Sequence, residues 1–100
     1  MEQYNVRLTS RALQDLDSIY TYIAQSLTEP DTAQKLLGRL EDAIFSLEQF
    51  PQRGSVRKVG AYANRGYRQL FVENYIAVYR IDEIHRQVIL VTVQYAARKF

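Results

Sequence analysis

The chain has no cysteine and a single histidine, His85. The first absence excludes a disulfide framework and any thiolate metal site, and the second leaves one imidazole, too few for a histidine metal centre. No metal and no cofactor is therefore expected. Nowhere do the ~20 apolar residues needed to cross a bilayer run together, and the first twenty residues carry charges throughout, with no apolar signal-peptide core. A cytoplasmic protein with no membrane partner is expected. Acid is scarce in the second half: residues 51–100 hold three acidic side chains against nine basic ones, a net +6. Residues 1–50 hold eight against four, a net −4, so the overall +2 conceals a strong asymmetry. A positive field confined to one region concentrates a polyanion there.

What is present is enough apolar material, 47% of 100 residues, to bury one core, so residues 1–100 are read as a single domain. Tyr4 to Leu8 alternates apolar and polar residues as a half-buried strand does. Thr9 is placed to cap a helix over Ser10–Ser26, whose stripe is Ala12, Leu16, Ile19, Tyr20, Ile23 and Leu27. Thr28-Glu29-Pro30-Asp31 reads as the start of a second helix: a hydroxyl cap, acids at the positive end of the dipole and a proline in the first turn. Its stripe is Ala33, Leu36, Leu37, Leu40, Ile44 and Leu47, and Pro51 with Gly54 ends it. So short a connection makes the pair an antiparallel hairpin.

Periodicity then disappears from Gln52 to Arg65, which reads as a loop. Gly66 to Val72, Tyr75 to Ile81 and Gln87 to Gln94 are rich in Tyr, Val, Ile and Phe and read as consecutive strands. They turn at Glu73-Asn74, where asparagine tolerates the left-handed conformation, and around Asp82 to Arg86. The expected fold is α+β: an N-terminal strand, a helical hairpin, then a three-stranded antiparallel meander, forming one sheet.

Candidate chemistry gathers after Pro51. Arg53, Arg57, Lys58, Arg65 and Arg68 precede the next acid, Glu73, with Tyr62 and Tyr67 interleaved. Guanidinium forks grip phosphate oxygens and phenol rings stack on bases, so this run suits a single-stranded RNA. The same run is also readable as a solvated loop that keeps the protein soluble. Arg68 shares a strand face with Leu70 and Val72, and arginine there either pairs with a buried helix carboxylate or projects over a cleft. Arg80 lies near Asp82 and Glu83 and reads as structural, and His85 as an exposed turn residue. Tyr20, Tyr22 and Tyr79 read as core or partner-facing aromatics.

Taken in order, these pieces resemble the RelE/ParE superfamily of plasmid-stabilisation toxins. The resemblance rests on Tyr4-Asn5-Val6-Arg7-Leu8-Thr9, Asp15-Leu16 with Ile19-Tyr20 and Tyr22-Ile23-Ala24, Ser46-Leu47-Glu48-Gln49-Phe50-Pro51, Gly66-Tyr67-Arg68-Gln69-Leu70, and Asn74-Tyr75 with Val78-Tyr79-Arg80. It implies the fold above and a cognate antitoxin that wraps the toxin into a hetero-oligomer. It also implies one of two activities. RelE-like members cut mRNA in the ribosomal A site, and the first reading here is such a ribosome-dependent endoribonuclease; ParE-like members poison DNA gyrase and need no acid or base.

On the nuclease reading, Arg68 matches the family's strand arginine and stabilises the phosphorane, Arg98 is a second cation, and Tyr95 is the base or acid. Arg53, Arg57, Lys58, Arg65 and Tyr67 hold the RNA. A phenol titrates at about 10, so Tyr95 would need neighbouring guanidiniums to act as a base at neutral pH. Gln94 stands where some ribosome-dependent members carry a C-terminal histidine.

Overall fold

Thr9 joins the first strand to the first helix through both its backbone and its hydroxyl. Its extended backbone ends the strand, its Oγ1 accepts from the Ala12 N–H at 3.1 Å, and the same hydroxyl donates to the Val91 carbonyl at 2.9 Å. The expected N-cap thus also ties the helix start to the last strand. The computed structural model describes residues 3–97 and contains β1 (Asn5–Leu8), α1 (Ser10–Thr21), α2 (Pro30–Phe45), β2 (Ser55–Val56), β3 (Arg68–Val72), β4 (Tyr75–Asp82) and β5 (Gln87–Tyr95).

The first helix reaches Ser26 as expected, but its last turn, Tyr22–Ser26, is π-helical. The Leu27 N–H accordingly bonds to the Tyr22 carbonyl, at 3.1 Å. Pro30 and Asp31 open α2 as the sequence predicts, whereas the hydroxyl cap does not form. Thr28 is left-handed (φ 53°) and its Oγ1 donates to the Leu27 carbonyl, leaving Glu29 at the cap position without a side-chain bond. A 3-10 turn, Ser46–Glu48, finishes the helix.

All five strands form one sheet, in the order β1-β5-β4-β3-β2. β1 runs parallel to β5 and the other pairs are antiparallel. The meander is as expected; β2 is an addition, two residues inside the segment read as loop, too few to show a period, paired to Gln69 and Arg68. β3 starts at Arg68 and not Gly66, because Gly66 takes a left-handed φ of 84° that no strand accommodates. In the β3–β4 turn the left-handed residue is Glu73 (φ 52°) and not Asn74, and the Glu73 carboxylate pairs with Arg39 of α2 across the surface.

Both helices lie on one face of the sheet. Ala12, Leu16 and Ile23, with Ala33, Leu36, Leu40 and Ile44, pack against Leu70, Val72, Ala77, Tyr79, Val88, Leu90 and Val93. The β5 residues in this core change parity after Leu90 because the β4–β5 register skips Val91: Tyr79 pairs with Leu90 and Val78 with Thr92. One extra residue reverses which side chains face the helices, as a bulge must.

β1 covers β5 only as far as Leu90, so the edge beyond needs other partners. Asp15 of α1 supplies one: its Oδ2 accepts from the Val93 N–H at 3.1 Å and from the Thr92 hydroxyl, and Arg11 Nε reaches its Oδ1 at 3.3 Å. Asp15→Ala removes an acceptor from a strand edge and should cost about 2 kcal/mol in urea unfolding, whereas Asp15→Asn, which keeps a carbonyl oxygen, should cost clearly less. Equal losses would mean that the carboxylate serves some purpose other than covering this edge.

Candidate functional site

Arg68 opens β3 opposite Tyr79 of β4, and between them these two side chains hold the turn that follows α2. The Tyr79 hydroxyl, in a side chain with 0% exposure, donates to the Pro51 carbonyl at 2.8 Å and accepts from the Gly54 N–H at 2.9 Å. Arg68 Nη2 donates to the Gly54 carbonyl at 2.5 Å and to the Gln52 carbonyl at 3.2 Å. Gly54 fits only because it has no side chain: a Cβ there would stand 2.4 Å from the Gln69 carbonyl oxygen. Backbone carbonyls, and not a helix carboxylate, therefore receive the Arg68 Nη2, and the same side chain lines a small cleft, the other placement the sequence allowed. That cleft, a pocket of about 250 Å³, is also lined by Gln52, Val56, Gly66, Tyr67 and Ile81.

The members of the basic run differ in exposure. Arg57 is buried, with 4% exposure; its Nε donates to the Ala61 carbonyl at 2.5 Å and its Nη1 to Gln69 Oε1 at 2.9 Å. Burial lowers its pKa from the ordinary arginine value, the direction desolvation gives a cation. The expected role of Arg57 as an RNA clamp is corrected on that ground: its guanidinium is internal to the 57–69 loop. Arg53 is exposed and donates to the Ser46 hydroxyl at 2.6 Å, while Lys58 and Arg65 face solvent. Tyr67 is half-buried and meets Tyr62 edge-to-face at 5.0 Å, so these two rings stack on each other.

Tyr95 lies elsewhere. It pairs with Tyr75, which also faces Val72, whereas Arg68 pairs with Tyr79, which faces Leu90. Four residues along the strands and two strand spacings across put the Cα atoms of Arg68 and Tyr95 about 16 Å apart. Tyr95 packs edge-to-face on Tyr75 at 5.6 Å, at one wall of a groove of about 760 Å³ that includes Ile19, Tyr22, Leu27 and Val93. The groove is mainly apolar, with Asp15, Ser18 and Gln94 also on its lining, and among the described residues no lysine or arginine lines it. The Tyr75 phenol is pushed above its usual pKa, first by burial and then by Tyr95, Tyr22 and Glu73. Arg98, expected as a second cation, lies outside the described residues.

A helical hairpin on a sheet of this strand order is shared with known proteins. A family described as the ParE toxin of the type II toxin–antitoxin system parDE matches residues 6–100, nearly the whole chain. The chain belongs to the ParE toxin family. Y4kP of Sinorhizobium fredii, a protein assigned as a toxin, is 30% identical over 102 residues, which cover all of this chain and 96% of that one. Among solved structures, a chain of the chromosomal ParDE system of P. aeruginosa superposes with a TM-score of 0.76 at 22% identity, covering 93% of this chain and 96% of that one. A chain of the RelBE2 complex of Mycobacterium tuberculosis gives 0.68 at 24% identity, covering 93% and 98%. These two share the fold.

In this ParE-family toxin, two further positions bear on the choice between activities. Gln94, where the sequence resemblance raised the expectation of a histidine, is buried and its Nε2 donates to the Thr92 hydroxyl at 2.9 Å. His85 lies in the β4–β5 turn, where its Nδ1 meets Asp82 Oδ2 at 2.9 Å and that hydrogen bond holds the Asp82 carboxyl below its usual range. Three residues of the toxin's architecture escaped sequence reasoning as anchors: Asp15, Gly54 and Tyr79. The one signal in the chain was Tyr79 itself, since a phenol within the apolar run Ile76-Ala77-Val78 must find a partner for its hydroxyl.

Proposed function

We propose that this toxin poisons DNA gyrase, as the ParE resemblance implies, and does not cut mRNA. One observation carries the choice: the Cα atoms of Arg68 and Tyr95 stand about 16 Å apart along the β-ladder, with the Arg68 guanidinium held by the Gly54 and Gln52 carbonyls and the Tyr95 ring packed on Tyr75. A general base must lie within hydrogen-bond reach of the proton it takes, and the charge stabiliser must contact the same phosphate. Gyrase poisoning is a binding act and makes no such demand. It also suits a surface with a mainly apolar groove of about 760 Å³ that carries three tyrosines, a composition typical of protein interfaces. The exposed Arg53, Lys58 and Arg65 are what favours the nuclease reading, in which Arg68, Tyr95 and Arg98 act on ribosome-bound mRNA. A cognate antitoxin is the expected partner, since the similar folds above occur in ParDE and RelBE systems, and the cytoplasm is the compartment of either target.

The test puts the purified toxin on both targets. With gyrase, plasmid DNA and ATP, supercoiling should stop and cleaved DNA accumulate; with programmed ribosomes, mRNA ends should stay as in the control. Codon-phased mRNA ends that vanish in Arg68→Ala or Tyr95→Phe, with supercoiling unaffected, would reverse the assignment.

A further inference from the structure

The Arg68 guanidinium is only partly matched by the protein. Nη2 is occupied by the Gly54 and Gln52 carbonyls, whereas Nε–H is shielded from solvent with no acceptor, and Nη1 bonds to nothing among the described residues. Among the described residues no carboxylate neutralises it: the adjoining pocket of about 250 Å³ is lined by Gln52, Val56, Gly66, Tyr67 and Ile81. A buried charged donor without an acceptor is costly, so this end of the sheet gains from any anion that fits. We propose that the pocket receives one aspartate or glutamate side chain of the antitoxin.

Three features favour a protein carboxylate over a nucleic-acid phosphate. The pocket is small, about 250 Å³, and suits a side chain entering end-on better than a phosphodiester, which is chain-linked on both sides. Val56 and Ile81 give the pocket apolar walls, which suit the methylenes of a glutamate or aspartate stem. Tyr62 and Tyr67, the nearby rings on which bases would stack, are engaged with each other at 5.0 Å. A carboxylate also suits Nη1, the one arm of the guanidinium left for a ligand, and the net +6 of residues 51–100 draws an acidic segment toward it. The antitoxin is the source because the similar folds are those of toxin–antitoxin systems.

The probes are acetate and N-acetylglutamate amide, added to toxin labelled with ¹⁵N at arginine, with chloride at matched ionic strength as control and inorganic phosphate as competitor. The Arg68 side-chain resonances should shift saturably with either carboxylate. Val56→Trp fills the mouth from an exposed position, and Gln52→Glu supplies an internal carboxylate from another; each should keep the wild-type melting temperature and weaken probe binding about ten- to a hundredfold, the worth of one charge-assisted hydrogen bond. Val56→Trp should weaken the complex with co-expressed antitoxin and leave gyrase inhibition unchanged. The proposal is overturned by an absent or unsaturable response to carboxylate, by tighter binding of phosphate, by unaltered probe binding in both variants, or by loss of gyrase inhibition with antitoxin binding intact. Probe binding makes no use of gyrase, so its outcome is independent of the proposed target.

Discussion

Replacing Gly54 by alanine should destabilise the toxin by about 3 kcal/mol or more, one of the largest losses expected of a single methyl group in this chain. The added Cβ would stand 2.4 Å from the Gln69 carbonyl oxygen, 2.9 Å from its carbon and 2.7 Å from the Tyr79 hydroxyl. None of these can swing aside. Gln69 is held in the sheet by pairing with both Ser55 and Val78, and the Tyr79 hydroxyl is fixed by the Pro51 carbonyl. Relief requires the 51–54 turn to lift off the sheet, which breaks the bonds to Tyr79 and Arg68 together. Gly38 is the natural control, since it lies within α2 and a Cβ there meets nothing within 4 Å. Gly38→Ala should stabilise by about 0.5–1 kcal/mol through helix propensity and the restricted unfolded chain. Urea midpoints therefore move in opposite directions for the same chemical change, and a near-neutral Gly54→Ala would mean that the close approach does not constrain the turn.

Tyr79→Phe should cost about 2–4 kcal/mol although it removes a single oxygen. The hydroxyl is the acceptor for one buried backbone group and the donor to another, so its loss strands both the Gly54 N–H and the Pro51 carbonyl in a region that water does not reach. The ring stays and no large cavity opens, which separates this effect from core truncation. Arg68 holds the same turn by Gly54 and Gln52, so Arg68→Ala and Tyr79→Phe should combine non-additively in a double-mutant cycle. Amide exchange reports the mechanism directly: Gly54 should lose protection in Tyr79→Phe while Val93, bound to Asp15 at the other end of the sheet, keeps it. Loss spread evenly over both ends would indicate global destabilisation with no special role for the turn.

Much of the architecture follows from local pattern. Leu36, Leu40, Ile44 and Leu47 recur at helical spacing and are buried as that spacing demands; Thr9 has the hydroxyl an N-cap needs and makes that bond; Pro30 with Asp31 suits only a first turn. The strands from Tyr75 and Gln87 are dense in β-branched and aromatic residues and lie next to each other in the sheet. These features were legible because neighbours within a few residues decide them. Where two local preferences competed the reading slipped: at Glu73-Asn74 the asparagine seemed the natural left-handed residue, yet Glu73 takes that conformation and meets Arg39 of α2.

The candidate site was legible as composition and not as geometry. Arg57 and Lys58 are adjacent cations of the same loop and meet opposite fates, one folded inward onto Gln69 and Ala61 and the other in solvent. Periodicity cannot separate them, because pairing of Val56 with Arg68, twelve residues away, sets which way residue 57 turns. Nor can it place Tyr95: the skipped Val91 changes which side of β5 faces the helices, and four further ladder positions carry the phenol away from Arg68. The sequence by itself determined where both helices and the longer strands form and that positive charge follows Pro51, since those depend on residue type and short-range spacing. Only the tertiary structure decided which cations reach solvent, which serve the backbone, and which never meet, since those depend on strand register and on contacts between residues far apart in the chain.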